Sequence, residues 1–172
     1  MKAPRIIGLG YRAKSGKDTV GAILRDHGYL RKAFADKLKE IASIMTGRDA
    51  FADDFKTEDC GFGMTGGAFL QTLGTQMRNT YGDDIWLRLV DQQINKSTTA
   101  RFVITDVRHH NEAAYVKSRG GILIKVDRRT GIFDSHITET GGDTIKWDHV
   151  IDNNGSLADL IKKVGDLMET YS

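Results

Sequence analysis

The sequence predicts an α/β protein, a doubly wound parallel sheet with helices on both faces. Three observations lead there. Short apolar, β-branched runs alternate with longer stretches of helical periodicity. The first such run feeds through a glycine-containing turn into a helix, as in a βαβ unit. Only one proline occurs in 172 residues, so the elements run uninterrupted.

Residues 5–9 (RIIGL) form a short apolar run, the expected buried first strand. After Gly16 comes a helix with Val20, Ile23 and Leu24 at i, i+3, i+4, stopped by Gly28. A short second strand is expected at 29–34, then a helix at 36–45 with Leu38, Ile41, Ala42 and Met45 on one face. Residues 46–66 are polar, glycine-rich and aperiodic, which predicts a mobile loop or insertion. Helices at 68–80 and 84–95 join at Tyr81-Gly82. A strand at 101–105, a helix at 109–119 with Ala113, Ala114 and Val116 inward, and strands at 122–126 and 149–151 follow. Ser156, with Asp159 three residues on, predicts a capping box for a last helix striped by Leu157, Leu160, Ile161, Val164, Leu167 and Met168. No linker divides the chain, so a single domain over 1–172 is expected.

Twenty-five Lys and Arg against 23 Asp and Glu leave a net charge of +2, too balanced for a dedicated binder of nucleic acid or membrane. The single cysteine, Cys60, excludes an internal disulfide and a multi-cysteine metal site. Without cysteine partners or HExxH spacing, His109, His110 and His149 do not form a zinc set. No apolar run approaches the ~20 residues needed to span a bilayer, and the first residues lack a signal-peptide core, so a cytoplasmic location is expected. A homodimer is left open.

The most informative stretch is Gly10-Tyr11-Arg12-Ala13-Lys14-Ser15-Gly16-Lys17-Asp18-Thr19. It follows a strand and opens a helix, as a phosphate-binding loop requires. The helix N-terminus offers unpaired N–H groups and the positive end of its dipole. Residues 12–19 are therefore the expected ATP-binding segment, with Lys17 reaching the β- and γ-phosphates. Two positions depart from GxxxxGK[ST]: Tyr11 stands at the first glycine, and Asp18 at the magnesium-binding hydroxyl. A carboxylate beside phosphates suits a site where Mg²⁺ lies between them, or where the helix dipole offsets the repulsion.

From SGKDT onward the chain resembles the bacteriophage deoxynucleoside monophosphate kinases. The likeness continues in Phe34-Ala35-Asp36-Lys37-Leu38-Lys39, in Leu70-Gln71-Thr72-Leu73-Gly74-Thr75, and in Thr105-Asp106-Val107-Arg108 with Glu112 following. It is strongest in Ser135-His136-Ile137-Thr138-Glu139 and Asn153-Asn154-Gly155-Ser156-Leu157. The resemblance implies transfer of the ATP γ-phosphoryl group to a deoxynucleoside 5′-monophosphate with Mg²⁺. It implies the three-layer P-loop kinase fold, strand order 2-3-1-4-5, with a mobile lid at about 128–142. Kinases of other phosphorylated metabolites (phosphomevalonate or dephospho-CoA) and a nucleotide-sensing module are the alternatives.

The reaction brings two anions together, so it needs cations and a metal. Asp106, at a strand end, would hold Mg²⁺ alongside Asp18, or orient the acceptor; otherwise it caps the next helix. Arg108 suits the acceptor phosphate as a planar bidentate donor, or else makes a surface ion pair. Asp36 and Lys37 follow the second strand, and Asp36 could be only an N-cap. Arg78 would clamp phosphate or pair with Asp83 or Asp84. Trp86 would flank the base or sit in the core. Arg128 matches a family arginine and is expected on phosphate. His136 and Glu139 would bind substrate or order their loop, and Glu112 joins the substrate-binding set through the resemblance.

Overall fold

A computed structural model describes residues 3–129 and 144–171 of the chain. In chain order the elements are β1 (Ile6–Gly10), α1 (Lys17–Asp26), β2 (Tyr29–Lys32), α2 (Asp36–Thr46), α3 (Gly66–Tyr81), α4 (Ile85–Ile94), β3 (Arg101–Val107), α5 (His110–Ser118), β4 (Ile122–Asp127), β5 (His149–Asp152) and α6 (Leu157–Glu169). Among the described residues five strands form one parallel sheet, order β2-β3-β1-β4-β5, as the resemblance implied. The chain divides into two compact units, Met1–Ala33 with Lys96–Ser172, and Phe34–Asn95.

The first unit holds the sheet. Central β1 is buried at every residue, as expected of a strand covered on both faces. Ile7 and Leu9 point to one face, where they join Val20 and Leu24 of α1 and Leu160, Val164 and Met168 of α6 in one core cluster. Each such side chain contributes about 1.5–3 kcal/mol by leaving water. Gly8 faces the other side, and a Cβ there would press on Val116 of α5 and Leu123 of β4. Hence α1 and α6 cover one face and α5 the other.

Two expected helix faces shift at their margins. In α5, Ala114 is exposed, while Glu112 and Tyr115 are buried beside Ala113 and Val116. A helix resting on a sheet through one narrow stripe leaves its flanks wet. For the same reason Leu157 and Ile161 of α6 are exposed outside the Leu160–Val164–Met168 stripe. The box at the start of α6 forms as expected: Ser156 Oγ accepts from the Asp159 amide at 3.2 Å, and Asp159 accepts from the Ser156 amide at 2.9 Å. Such a cap contributes about 1 kcal/mol.

Ahead of β5, Asp148 ties down the chain. It accepts from Lys117 Nζ at 2.8 Å and from the Leu123 amide at 2.7 Å. Burial pushes this carboxyl up, but the Lys117 ammonium and the amide outweigh that and hold it below the usual carboxylate range.

In the second unit, residues 47–65 are irregular, as their composition predicted, but they are not a loose insertion. Ala50, Phe55 and Cys60 are buried with Ala42 of α2 and Phe69 and Leu70 of α3. Gly66 lies so close to Phe55 that a Cβ would strike its ring and carbonyl. Arg48 closes the segment outside, bonding Glu58 and the Asp59 carbonyl. In α2, Ala42 is the buried residue and Met45, expected inward, is exposed. Among the described residues no helix is long and apolar enough to cross a membrane.

Candidate active site

The phosphate loop occupies the turn between β1 and α1. Three of its residues are left-handed: Tyr11 at φ 102°, Lys14 at φ 57° and Gly16 at φ 97°. For Tyr11 and Lys14 that conformation is a strain the fold sustains. Such reversals turn successive N–H groups inward and form an anion-binding concavity at the helix start. α1 then begins with the Val20 amide donating to the Gly16 carbonyl at 3.0 Å, and no side chain caps it. The dipole end is therefore presented by backbone alone.

Lys17 is buried to 8% exposure. Its ammonium donates to the Tyr11 carbonyl at 3.1 Å, to the Arg12 carbonyl and to Ser15 Oγ at 3.3 Å. These acceptors solvate the buried charge over the loop. A phosphate entering there would offer stronger, charged acceptors for the same donors. Ser15 is fully buried, whereas Ala13, Lys14, Asp18 and Thr19 are exposed and Arg12 half-buried.

Three residues that support the loop were missed in the sequence. Trp147 packs on Gly10 so closely that any Cβ would overlap its ring and the Val107 carbonyl. Lys125 places its ammonium 3.7 Å from the centre of the Tyr11 ring, with Arg12 at 5.1 Å. Asn153, 8% exposed, donates from Nδ2 to the Ser15 carbonyl at 2.9 Å. The Asn-Asn-Gly-Ser block was visible as a resemblance, yet nothing local tied Asn153 to residue 15.

Asp106 is half-buried in the last turn of the pleat of β3, not beyond its end. The β1–β3 register shifts there, Gly8 facing Ile104 but Gly10 facing Val107, so Asp106 stands level with the start of the loop. It does not cap α5; His109 does. Glu112, expected in the substrate-binding set, is 5% exposed and accepts from the Arg108 amide at 2.7 Å and the His109 amide at 3.0 Å. Its carboxylate therefore supports the turn that carries Arg108. Arg108 itself is exposed.

Arg128 and Arg129 follow β4 and are exposed, and the Arg129 amide donates to Asn154 Oδ1 at 2.8 Å. His136 and Glu139 lie outside the described residues, as does most of the expected lid. In the second unit, Asp36 is the first residue of α2, after the N-cap Ala35. Lys37 pairs with Glu40. Arg78 is half-buried in the last turn of α3, while Asp84 pairs with Arg88 at 3.3 Å. Trp86 takes the core alternative: 2% exposed, it donates from Nε1 to the Gly74 carbonyl at 3.4 Å.

No three His, Cys, Asp or Glu side chains cluster among the described residues. Magnesium does not ask for that. It keeps several waters and takes one or two carboxylates plus substrate phosphates. Asp18 in the first turn of α1 and Asp106 at the same end of the sheet supply such hard oxygens, so they fit the ion.

The chain is similar to known proteins in sequence and in fold. The model of one family, deoxynucleotide monophosphate kinase, matches residues 64–164. A protein of Acanthamoeba polyphaga mimivirus, provisionally described as a deoxynucleotide monophosphate kinase, is 32% identical over 192 residues, covering 97% of each chain. The deoxynucleotide monophosphate kinase of Escherichia phage RB69 is 32% identical over 104 residues, 58% of this chain and 43% of the phage protein. In fold, the dephospho-CoA kinase of Campylobacter jejuni superposes with a TM-score of 0.56 at 15% identity, over 100% of this chain and 98% of that one. At that identity the structural likeness speaks for the P-loop kinase fold alone. The sequence matches go further: the mimivirus protein matches over 97% of the chain, and the family model spans β3 with Asp106 and the turn with Arg108, so the chain belongs to the deoxynucleotide monophosphate kinase family and is a phosphotransferase.

Proposed function

We propose that the protein transfers the γ-phosphoryl group of ATP to the 5′-phosphate of a deoxynucleoside monophosphate, in line and without a covalent enzyme intermediate. The observation that carries this reading is the phosphate loop: a left-handed curl of backbone around a buried lysine, in a chain of this family.

An oxygen of the acceptor phosphate attacks the γ-phosphorus, and the bond from that phosphorus to the β–γ bridging oxygen breaks. ADP leaves with that electron pair. The acceptor is already ionised near neutral pH, its second pKa lying near 6, so no strong general base is needed. What the protein must supply is alignment and positive charge. Backbone N–H groups of residues 12–19 and the α1 dipole hold the β-phosphate. Lys17 bridges to the γ-phosphoryl oxygens. Arg108, on a turn fixed by Glu112, grips the acceptor, and Arg128 adds charge from the end of β4. Asp18 and Asp106 would hold Mg²⁺, which when bound neutralises charge on the β- and γ-oxygens. Asp36, Lys37 and Arg78 remain acceptor-side candidates on sequence grounds.

An acceptor panel tests the function: ATP with each common dNMP and NMP, with dephospho-CoA and with phosphomevalonate, followed by ADP release. Turnover stimulated by one or more dNMPs is expected. Stimulation by dephospho-CoA or phosphomevalonate alone would move the chain to a different acceptor. ATP binding without acceptor-stimulated turnover would make it a sensing module.

The metal assignment has its own consequence. Asp18→Asn raises the Mg²⁺ concentration giving half-maximal rate severalfold, while the ATP KM at saturating Mg²⁺ stays within about twofold. A magnesium titration checks it. An unchanged curve would leave Asp18 serving only the helix dipole.

A further inference from the structure

We infer that Asn153 is a positioning residue for phosphoryl transfer, which turns the Gly16 N–H of the phosphate loop toward the nucleotide. The inference rests on the kinase reading above for its nucleotide, but its basis is geometric. Asn153 lies just past β5, and its Nδ2 donates to the Ser15 carbonyl at 2.9 Å across 138 residues of sequence. Its backbone amide donates to the Asp127 carbonyl at 2.7 Å, so the residue's backbone is anchored to the end of β4. Asn153 is 8% exposed, and a Cβ on Gly16 would overlap its amide nitrogen.

A trans peptide is planar, with C=O and N–H pointing in opposite directions. Holding the Ser15 carbonyl toward Asn153 therefore points the Gly16 N–H the other way. Without that hold the peptide has a choice. Gly16 is left-handed at φ 97°, and glycine crosses between the two signs of φ at little cost. A flipped peptide would present a carbonyl oxygen to the phosphates, a repulsive contact in place of a donor. Gly16 is thus required twice, for its φ and for its contact with Asn153. The neighbouring Asn154 accepts from the Arg129 amide at 2.8 Å, so the same turn reaches the arginines after β4.

The test compares wild type with Asn153→Ala and with the isosteric Asn153→Asp, which cannot donate when ionised. Calorimetry with the non-hydrolysable analogue AMP-PNP gives donor affinity, steady-state kinetics give the acceptor KM, and the Gly16 amide resonance is followed by ¹H–¹⁵N NMR without ligand. The AMP-PNP dissociation constant is expected to rise about tenfold in Asn153→Ala and further in Asn153→Asp, a tenfold change being about 1.4 kcal/mol. The acceptor KM should move less than twofold, and the Gly16 amide should shift in both variants. Unchanged AMP-PNP affinity with an unmoved Gly16 amide overturns the inference, as does a parallel loss of both substrates. If Asn153→Ala does not fold, Asn153→Asp decides by the same readings. A wild-type protein that binds no AMP-PNP defeats the kinase reading instead, and the ligand-free Gly16 amide still decides whether Asn153 orients that peptide.

Discussion

Lys17→Ala lowers kcat by about 10²–10⁴-fold, the loss of several kcal/mol of charge stabilisation made most strongly in the transition state. The phosphoryl group in flight spreads charge over its equatorial oxygens, and a lysine held in a nearly dry loop acts there in a low dielectric. Burial of Lys17 at 8% exposure satisfies that condition, and its bonds to the Tyr11 and Arg12 carbonyls hold the ammonium over the loop beforehand. The substitution leaves those carbonyls without this donor, so some stability is lost as well. Turnover is therefore compared at equal folded fraction, with circular dichroism and a melting curve on the same sample. Near-normal kcat in folded Lys17→Ala protein would remove Lys17 from the transferring phosphates.

Arg108→Lys lowers kcat/KM for the acceptor by about 10–100-fold, although the charge is retained. A guanidinium presents two parallel donors to a phosphate, whereas an ammonium is a point charge on a flexible stem. The arginine's backbone is held by Glu112 through the Arg108 and His109 amides, so a change at position 108 tests the side chain on a fixed turn. Separate KM values for ATP and dNMP check it. If only ATP affinity falls, Arg108 belongs to the donor side.

Much of this was legible in the chain itself, and each instance has a short range. Short apolar, β-branched runs and 3.6-residue spacing located the described strands and helices, with errors at ends and edges. Gly28 as a stop and the Ser156–Asp159 box concern residues within four positions of one another. The strand–turn–helix setting of Gly16-Lys17 is local in the same sense, which is why the phosphate loop could be proposed from ten residues. Strand order was not read from pattern; it came with the family resemblance, and the sheet has that order.

What failed in the sequence failed mostly through distance. Residues 47–65 looked loose because Phe55 and Cys60 follow no period; they are fixed by Phe69 and Leu70, further along the chain. Glu112 entered only through the family resemblance; its bonds to the Arg108 and His109 amides, at the start of α5, were not legible in the sequence. Sequence alone thus determined the elements and the phosphate loop, because hydrogen bonds and side-chain periods within a helix or turn join near neighbours. Tertiary structure alone decided that Lys125 would face Tyr11, that Trp147 would close on Gly10, and that Asn153 would hold Ser15. Those pairs meet only because parallel strands bring distant segments of the chain side by side at one end of the sheet, and no local spacing encodes such a meeting.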